Sequence, residues 1–216
     1  MRRHAAERFS LLLLLTFLLT PPAIVRPISD EQSLKVNLKV ITQKYCRRGG
    51  ADVGAIWLNL RLQVINRTDR KLIVLKNIGR AWYRTIVAAD EKALAEGTYE
   101  SDPEIMFTML ESEVRGPSGV VPGEDFVILE PGKSFEAESF IDVTVAVGAP
   151  SRLNRDLIRK GNHVLQLKLS TWPFVVRPEP FRDEWKEYGQ LVYESVKSEP
   201  LPLPVPQDSE FQNCRP

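Results

Sequence analysis

The sequence predicts an all-β protein, an antiparallel β-sandwich with short helical insertions. Residues 34–206 contain about seven to nine short runs in which apolar and polar residues alternate, and turn residues separate these runs. No long amphipathic helix lies between them, whereas an α/β fold needs helices between its strands. We therefore assign residues 34–206 to one sandwich domain, a length that a single domain readily reaches.

The clearest strand pattern lies between Ala55 and Lys76. Leucines occupy every second position from 58 to 62, and polar residues such as Asn59 and Arg61 stand between them. This alternation is typical of a strand with one buried and one exposed face. Because turn residues follow at 66–69 and a second apolar run comes next, the stretch predicts a β-hairpin.

Further strands and helices are predicted on the same grounds. Apolar or alternating runs predict strands at residues 34–46, 77–87, 126–129, 135–147, 163–172 and 190–197. Helix-forming residues or helical apolar spacing, each ending at a glycine, predict short helices at 88–97 and 150–161. Residues 198–206 alternate proline with apolar residues. This predicts an edge strand or an extended polyproline segment, since proline cannot donate to a β-ladder.

The two ends of the chain lie outside this domain. A basic start, an apolar run at 11–19 and a proline break predict that residues 1–23 are a secretory signal peptide. An uncleaved N-terminal anchor is the alternative, although the run is shorter than the roughly 20 residues of an ordinary membrane span. Residues 24–33 then form a linker, and residues 207–216 form a C-terminal tail. We accordingly expect the protein in a secreted, periplasmic or other extracytoplasmic location.

Two cysteines, Cys46 and Cys214, remain after the predicted signal. Because disulfides persist in the oxidising compartments that exported proteins reach, the pair is a candidate disulfide between the end of the first strand and the tail. The alternative is two unpaired thiols, since cysteines whose Cα atoms are more than about 7 Å apart cannot bridge.

Four short motifs carry a resemblance to a known class of domains; they lie at residues 64–69, 129–134, 161–167 and 196–201. In order and rhythm they resemble turns and strands of immunoglobulin-like or fibronectin-type β-sandwiches in exported bacterial proteins. The chain departs from antibody domains because it lacks their Cys–Trp–Cys spacing. The resemblance implies an immunoglobulin-like fold and no particular activity, because such sandwiches have many functions.

Charge and histidine content argue against several kinds of function. The formal net charge is +1, which argues against nucleic acid or an anionic membrane as the main partner. His163 is the only histidine after the signal, and it shares a strand phase with Leu165 and Leu167, so triad chemistry and a zinc site lack their usual residues. No phosphate-loop or EF-hand spacing is present, and we predict no catalytic residue, no metal site and no cofactor.

The tryptophans are the candidate binding residues. Trp57 lies on the polar phase of its strand, while Trp82, Trp172 and Trp185 lie in or beside predicted loops. They can form aromatic platforms for a glycan or a protein partner. Alternatively, they fill the contact where the aromatic segment 173–189 covers the second face of the sheet, because large aromatic side chains are usually buried.

Together these observations favour an exported, non-catalytic binding or envelope-associated module whose partner is an unknown protein or glycan at the cell envelope. Membrane contact is expected only through an uncleaved N-terminal segment. One alternative is a carbohydrate-binding module, which requires Trp57 and Trp172 on one exposed surface. Another is a secreted hydrolase, which requires two carboxylates that face each other in a cleft. The sequon at residues 66–68 is interpreted as turn chemistry.

Overall fold

The structure, a computed structural model, describes residues 32–48, 52–106, 114 and 121–214, without the side chains of residues 80–82 and 106. The predicted signal or anchor at 1–23, nearly all of the linker at 24–33 and the last two residues of the tail lie outside the described residues. Within the described part of the chain, no helix is both long enough and apolar enough to cross a bilayer.

Strands dominate the described residues, and the helices among them are short. In chain order the strands are β1 (Leu34–Arg47), β2 (Val53–Asn66), β3 (Leu72–Leu75), β4 (Trp82–Ala88), β5 (Glu104–Met106), β6 (Phe126–Leu129), β7 (Ser134–Ala146), β8 (Gly161–Ser170), β9 (Gln190–Leu191), β10 (Ser195–Lys197) and β11 (Leu201–Val205). The helices are α1 (Ile78–Ala81), α2 (Glu91–Glu96) and α3 (Glu179–Glu184). The predicted all-β class is therefore confirmed.

The strands form three sheets. One sheet has the order β1-β2-β7, and a second has the order β10-β8-β4-β5, with β11 also paired to β8. The third has the order β6-β3-β9. All pairs between these strands are antiparallel except β3 with β9. Antiparallel pairing is what the predicted fold class requires.

Both strands of the predicted hairpin exist, but they do not pair, so the hairpin prediction is wrong. β2 pairs with β1 and β7, whereas β3 pairs with β6 and β9. The turn between β2 and β3 carries the chain from one sheet to another. Turn residues at 66–69 fix a local reversal, but they do not determine which strand the chain meets next.

The side chain of Asn66 stabilises this connection between the two sheets. The residue is 1% exposed, and its Nδ2 donates to the carbonyls of Arg70 at 2.6 Å and Leu129 at 2.9 Å. Its Oδ1 accepts from the backbone N–H and the hydroxyl of Thr68, both at 2.8 Å. The side chain therefore satisfies backbone groups of its own turn and of β6 at once.

The main core contains apolar faces from the first two sheets. The leucines of β2 and β8 all belong to this core and are fully buried: Leu58, Leu60, Leu62, Leu165, Leu167 and Leu169. Each such side chain stabilises the fold by about 2 kcal/mol relative to an exposed one. The alternating pattern in the sequence correctly identifies these buried faces.

β3 separates this core from a second one. Leu72 and Val74 belong to the main core, while Ile73 and Leu75 belong to the second core. All four side chains are fully buried. A strand with two buried faces has no polar phase, which explains the continuous apolar run.

The second core is aromatic. The segment after β8 supplies two tryptophans and two phenylalanines, which pack on Phe126 and on the second face of β3: Trp172, Phe174, Phe181 and Trp185. The rings of Phe126 and Trp185 meet nearly edge to face, with centroids 5.2 Å apart. The aromatic segment thus covers a sheet face, but that face belongs to the sheet of β3 and not to the sheet of Trp57.

One predicted helical insertion is present and the other is not. Asp90 caps α2 by accepting from the N–H of Ala93 at 2.7 Å, and Gly97 ends it at φ 75°. Residues 150–161 instead form turns around the buried Asn154, whose Nδ2 donates to three backbone carbonyls, including that of Val147 at 3.1 Å. Helical spacing of apolar residues in that segment is therefore misleading.

The predicted edge strand is confirmed in β11, which pairs antiparallel with β8. Leu203 and Val205 are buried, while Pro202 and Pro204 are exposed. Proline is compatible with such an edge position because no further strand needs its missing N–H.

The predicted disulfide between Cys46 and Cys214 is also confirmed, and their Cα atoms are 5.2 Å apart. The tail joins the fold through more than this bond. The N–H of Arg47 donates to the carbonyl of Gln212 at 2.7 Å, and the buried Phe211 lies against the ring of Tyr45, with centroids 5.7 Å apart. Residues 211–214 therefore extend the packed domain.

Candidate ligand-binding cavity

The structure places two of the candidate tryptophans in the second core. Trp185 is fully buried, and Trp172 is 8% exposed with its Nε1 donating to the carbonyl of Val176 at 2.7 Å. The structure does not describe the side chain of Trp82. The predicted carbohydrate-binding module requires Trp57 and Trp172 on one exposed surface. The structure does not place them on one.

Trp57 lies on the outer face of the sheet β1-β2-β7. It pairs across the strands with Lys44 and Asp142, and its ring meets Phe140 edge-on, with centroids 6.2 Å apart. Phe140 is 51% exposed, and Ile41 on β1 is 44% exposed. Because the aromatic segment packs on the sheet of β3, it does not provide the cover that the sequence suggested for this face.

A cavity of about 570 Å³ opens beside these residues at the edge of β7. Its inner wall comes from Leu60, Gly79, Tyr83 and Ile105, and its outer wall comes from residues on the exposed sheet face: Ile41, Asn59 and Phe140. Ligand cavities typically measure roughly 300–1,000 Å³ and combine apolar walls with a few polar groups. Glu138, Ser139 and Asp142 of β7 supply these polar groups here.

Close packing of α1 and β4 against β7 fixes the cavity walls. A Cβ at Gly79 would lie 3.0 Å from the carbonyl oxygen of Glu138, so glycine permits this approach. The hydroxyl of Ser139 donates to the carbonyl of Gly79 at 2.6 Å, and that of Tyr83 donates to the carbonyl of Phe140 at 2.9 Å. Burial raises the pKa of Tyr83, which favours the protonated hydroxyl that donates this bond.

The polar part of the lining is acidic. Glu138 and Asp142 line the cavity, and none of the described lining residues is a lysine or an arginine. Oδ2 of Asp142 pairs with Arg48. Its Oδ1 and the Nε1 of Trp57 are shielded from solvent and have no hydrogen-bond partner among the described residues. Buried polar groups without a partner are uncommon in folded proteins and cost free energy.

These two carboxylates do not form the paired acid and base of a hydrolase. Glu138 and Asp142 lie four residues apart on one strand, which separates them by about 13 Å. Catalytic carboxylates of glycosidases are at most roughly 9.5 Å apart. Among the described residues, moreover, no group of three or more histidine, cysteine or acidic side chains is arranged to hold a metal ion.

His163 serves as a link between loops. Its Nδ1 lies 2.6 Å from a carboxylate oxygen of Glu100, and its Nε2 lies 2.8 Å from the carbonyl of Arg159. Both partners accept hydrogen bonds, and neither is a hydroxyl or a thiol. The histidine therefore lacks the arrangement of a catalytic triad, in which the second ring nitrogen meets a hydroxyl or a thiol.

A second cavity, of about 590 Å³, lies beside the turn before β3 and near α3. Its walls are mostly charged, and salt bridges engage Lys71 with Glu130 at 2.8 Å and Arg182 with Asp183 at 2.9 Å. These partners compensate part of the charge of its walls within the protein. The cavity beside β7 offers apolar walls that this one lacks.

Sequence reasoning missed most residues of the cavity because they come from distant segments that only the fold brings together. One local signal was available. Phe140 falls on the exposed phase of β7, between Glu138 and Asp142, where a polar residue is expected. An aromatic residue on a polar phase is the pattern that also identified Trp57.

Comparisons with protein-family models, with curated proteins and with solved structures yield no match for this chain.

Proposed function

We propose that this chain is an exported, non-catalytic β-sandwich binding module of the cell envelope and that it takes its ligand in the cavity beside β7. One observation carries the proposal. An apolar cavity of about 570 Å³ has the half-exposed Phe140 and Ile41 on its outer wall, although the fold buries its other aromatic cluster in a core. Exposed apolar side chains grouped at a concave site favour ligand binding.

The disulfide supports the proposed compartment. The bond between Cys46 and Cys214 fits an oxidising, non-cytoplasmic environment, where such bonds persist. The periplasm and the extracellular space are both such environments. An immunoglobulin-like arrangement of the sandwich is proposed with it, and the two antiparallel sheets whose apolar faces form the main core support it.

A carbohydrate-binding module that uses Phe140 in place of the predicted tryptophan pair is the second candidate. The ring of Phe140 is half exposed beside Asn59, its neighbour on β2, and Asn59 Nδ2 is held at 2.7 Å from Thr42 Oγ1. An aromatic ring beside a fixed amide can accept a sugar. This candidate predicts that calorimetric titration with a panel of envelope glycans gives saturable heats that Phe140→Ala reduces.

Titration with Nile red, a neutral apolar dye, tests the main proposal. We expect saturable fluorescence enhancement with the purified disulfide-bonded protein and about fivefold weaker binding by Phe140→Ala, since aromatic anchors contribute on the order of 1 kcal/mol or more. Ile128→Ala is the matched control, because Ile128 is a 42% exposed apolar residue on β6, outside the described lining. Equal losses in the two variants, or no saturable binding, would contradict the proposal.

A further inference from the structure

We infer that the cavity beside β7 selects an amphipathic cation, that is, an apolar molecule that carries an amine or a similar positive group. The inference rests on the proposed function and names the ligand class of the same site. It follows from how the walls divide into an apolar part and an acidic part.

The apolar part suits a hydrocarbon body. Leu60 and Tyr83 are buried at the inner wall, Ile105 is half-buried, and Phe140 and Ile41 stand at the outer wall. An aliphatic chain that enters between these walls removes apolar surface from water, at about 25 cal/mol per Å². A polar ligand would gain little from them.

The acidic part suits a positive group. Glu138 is exposed, and no described side chain forms a salt bridge with it. Arg61, its cross-strand neighbour, contacts Glu136 instead, at 3.5 Å. Among the described side chains, Glu138 therefore brings a negative charge without a salt-bridge partner to the cavity, whereas Arg48 offsets the charge of Asp142.

The remaining polar groups of the lining offer an anion little. The hydroxyl hydrogen of Ser139 is donated to the carbonyl of Gly79, and one of the two Nδ2 hydrogens of Asn59 is donated to Thr42, which leaves a single amide N–H for a ligand. A carboxylate or a phosphate would meet acceptors and a negative charge, with no cation of the described lining to balance it.

The ring of Phe140 completes the site for a cation. Glu138 and Phe140 lie two residues apart on one strand, so both side chains stand on one sheet face about 7 Å apart. An ammonium group between them contacts the carboxylate and remains within the roughly 6 Å at which an aromatic face attracts a cation.

Three probes with the same eight-carbon body test this inference by calorimetric titration at pH 7: octylammonium, octanol and octanoate. We expect octylammonium to bind most tightly and octanoate least tightly. In Glu138→Gln, octylammonium should bind roughly fivefold more weakly, the upper range for a partly exposed ion pair, while octanol binding should not change. Glu187→Gln is the matched control, because it removes an exposed carboxylate that lines the other cavity.

The outcomes separate the two proposals. If none of the probes binds, the cavity is not a ligand site, and both the proposed function and this inference fail. If octanol or octanoate binds as tightly as octylammonium, the site stands but its selectivity for a cation is overturned. Unchanged octylammonium binding in Phe140→Ala would place the probe elsewhere and would also overturn the inference.

Discussion

Replacing Asn66 should destabilise the fold more than replacing any exposed asparagine. In Asn66→Ala, the carbonyls of Arg70 and Leu129 and the N–H of Thr68 each lose their hydrogen bond to this side chain. The bond to Leu129 is buried, and an unsatisfied buried group costs about 1–3 kcal/mol, whereas each of the others contributes about 1 kcal/mol. The free energy of unfolding should therefore fall by about 3–5 kcal/mol, a large part of the roughly 5–15 kcal/mol of a typical domain.

Urea unfolding of the disulfide-bonded protein, followed by tryptophan fluorescence and circular dichroism, measures this change. Asn59→Ala is the matched control, because Asn59 is exposed and its side chain donates a single bond, to Thr42. We expect less than about 0.5 kcal/mol there. Asn66→Asp should be at least as harmful as Asn66→Ala, since a carboxylate oxygen would then face two carbonyls. A loss in Asn66→Ala no larger than in the control would refute the role assigned to this side chain.

Three further predictions follow from other parts of the fold. The double variant Cys46→Ala, Cys214→Ala should lose about 5 kcal/mol of unfolding free energy by the chain-entropy model, because the bond joins residues 168 positions apart. Urea midpoints with and without reductant measure this loss, and equal midpoints would contradict it. Burial raises the pKa of Tyr83, so its contribution to stability is present below the unfolded pKa of about 10 and is lost as the pH rises through the folded pKa. Unfolding free energies measured between pH 8 and 11.5 should therefore fall more steeply in the wild type than in Tyr83→Phe. Gly54→Ala should lower the free energy of unfolding, measured by thermal unfolding, by about 1–3 kcal/mol, because a Cβ would lie 2.7 Å from side-chain atoms of Phe211 and Val147. In the control Gly132→Ala the Cβ meets no atom within 4 Å, so the loss should be only the strain of a φ of +68°.

The sequence revealed the strands because their pattern is local. The leucines of β2 alternate with polar residues, and that periodicity depends only on which face is buried. Pairing depends on distant segments: β3 meets β6 and β9, and nothing in the turn after Asn66 determines this. The same limit applies to the cavity, whose walls come from five strands and α1. Trp57 and Phe140 were nonetheless accessible to sequence reasoning, because each is an aromatic residue on a polar phase.

β3 has a consequence for how the protein opens. Each of its faces belongs to a different core, so the aromatic segment 173–189 and the flanking Trp172 and Leu191 cannot detach without exposing Ile73 and Leu75 to water. Because both faces of β3 are buried, the strand cannot keep its packing on one face when the core on the other face opens. Amide hydrogens of β3 should therefore exchange only through global unfolding, and the two cores should behave as one cooperative unit. A segment that resembles a surface insertion in the sequence is thus part of the domain that it covers.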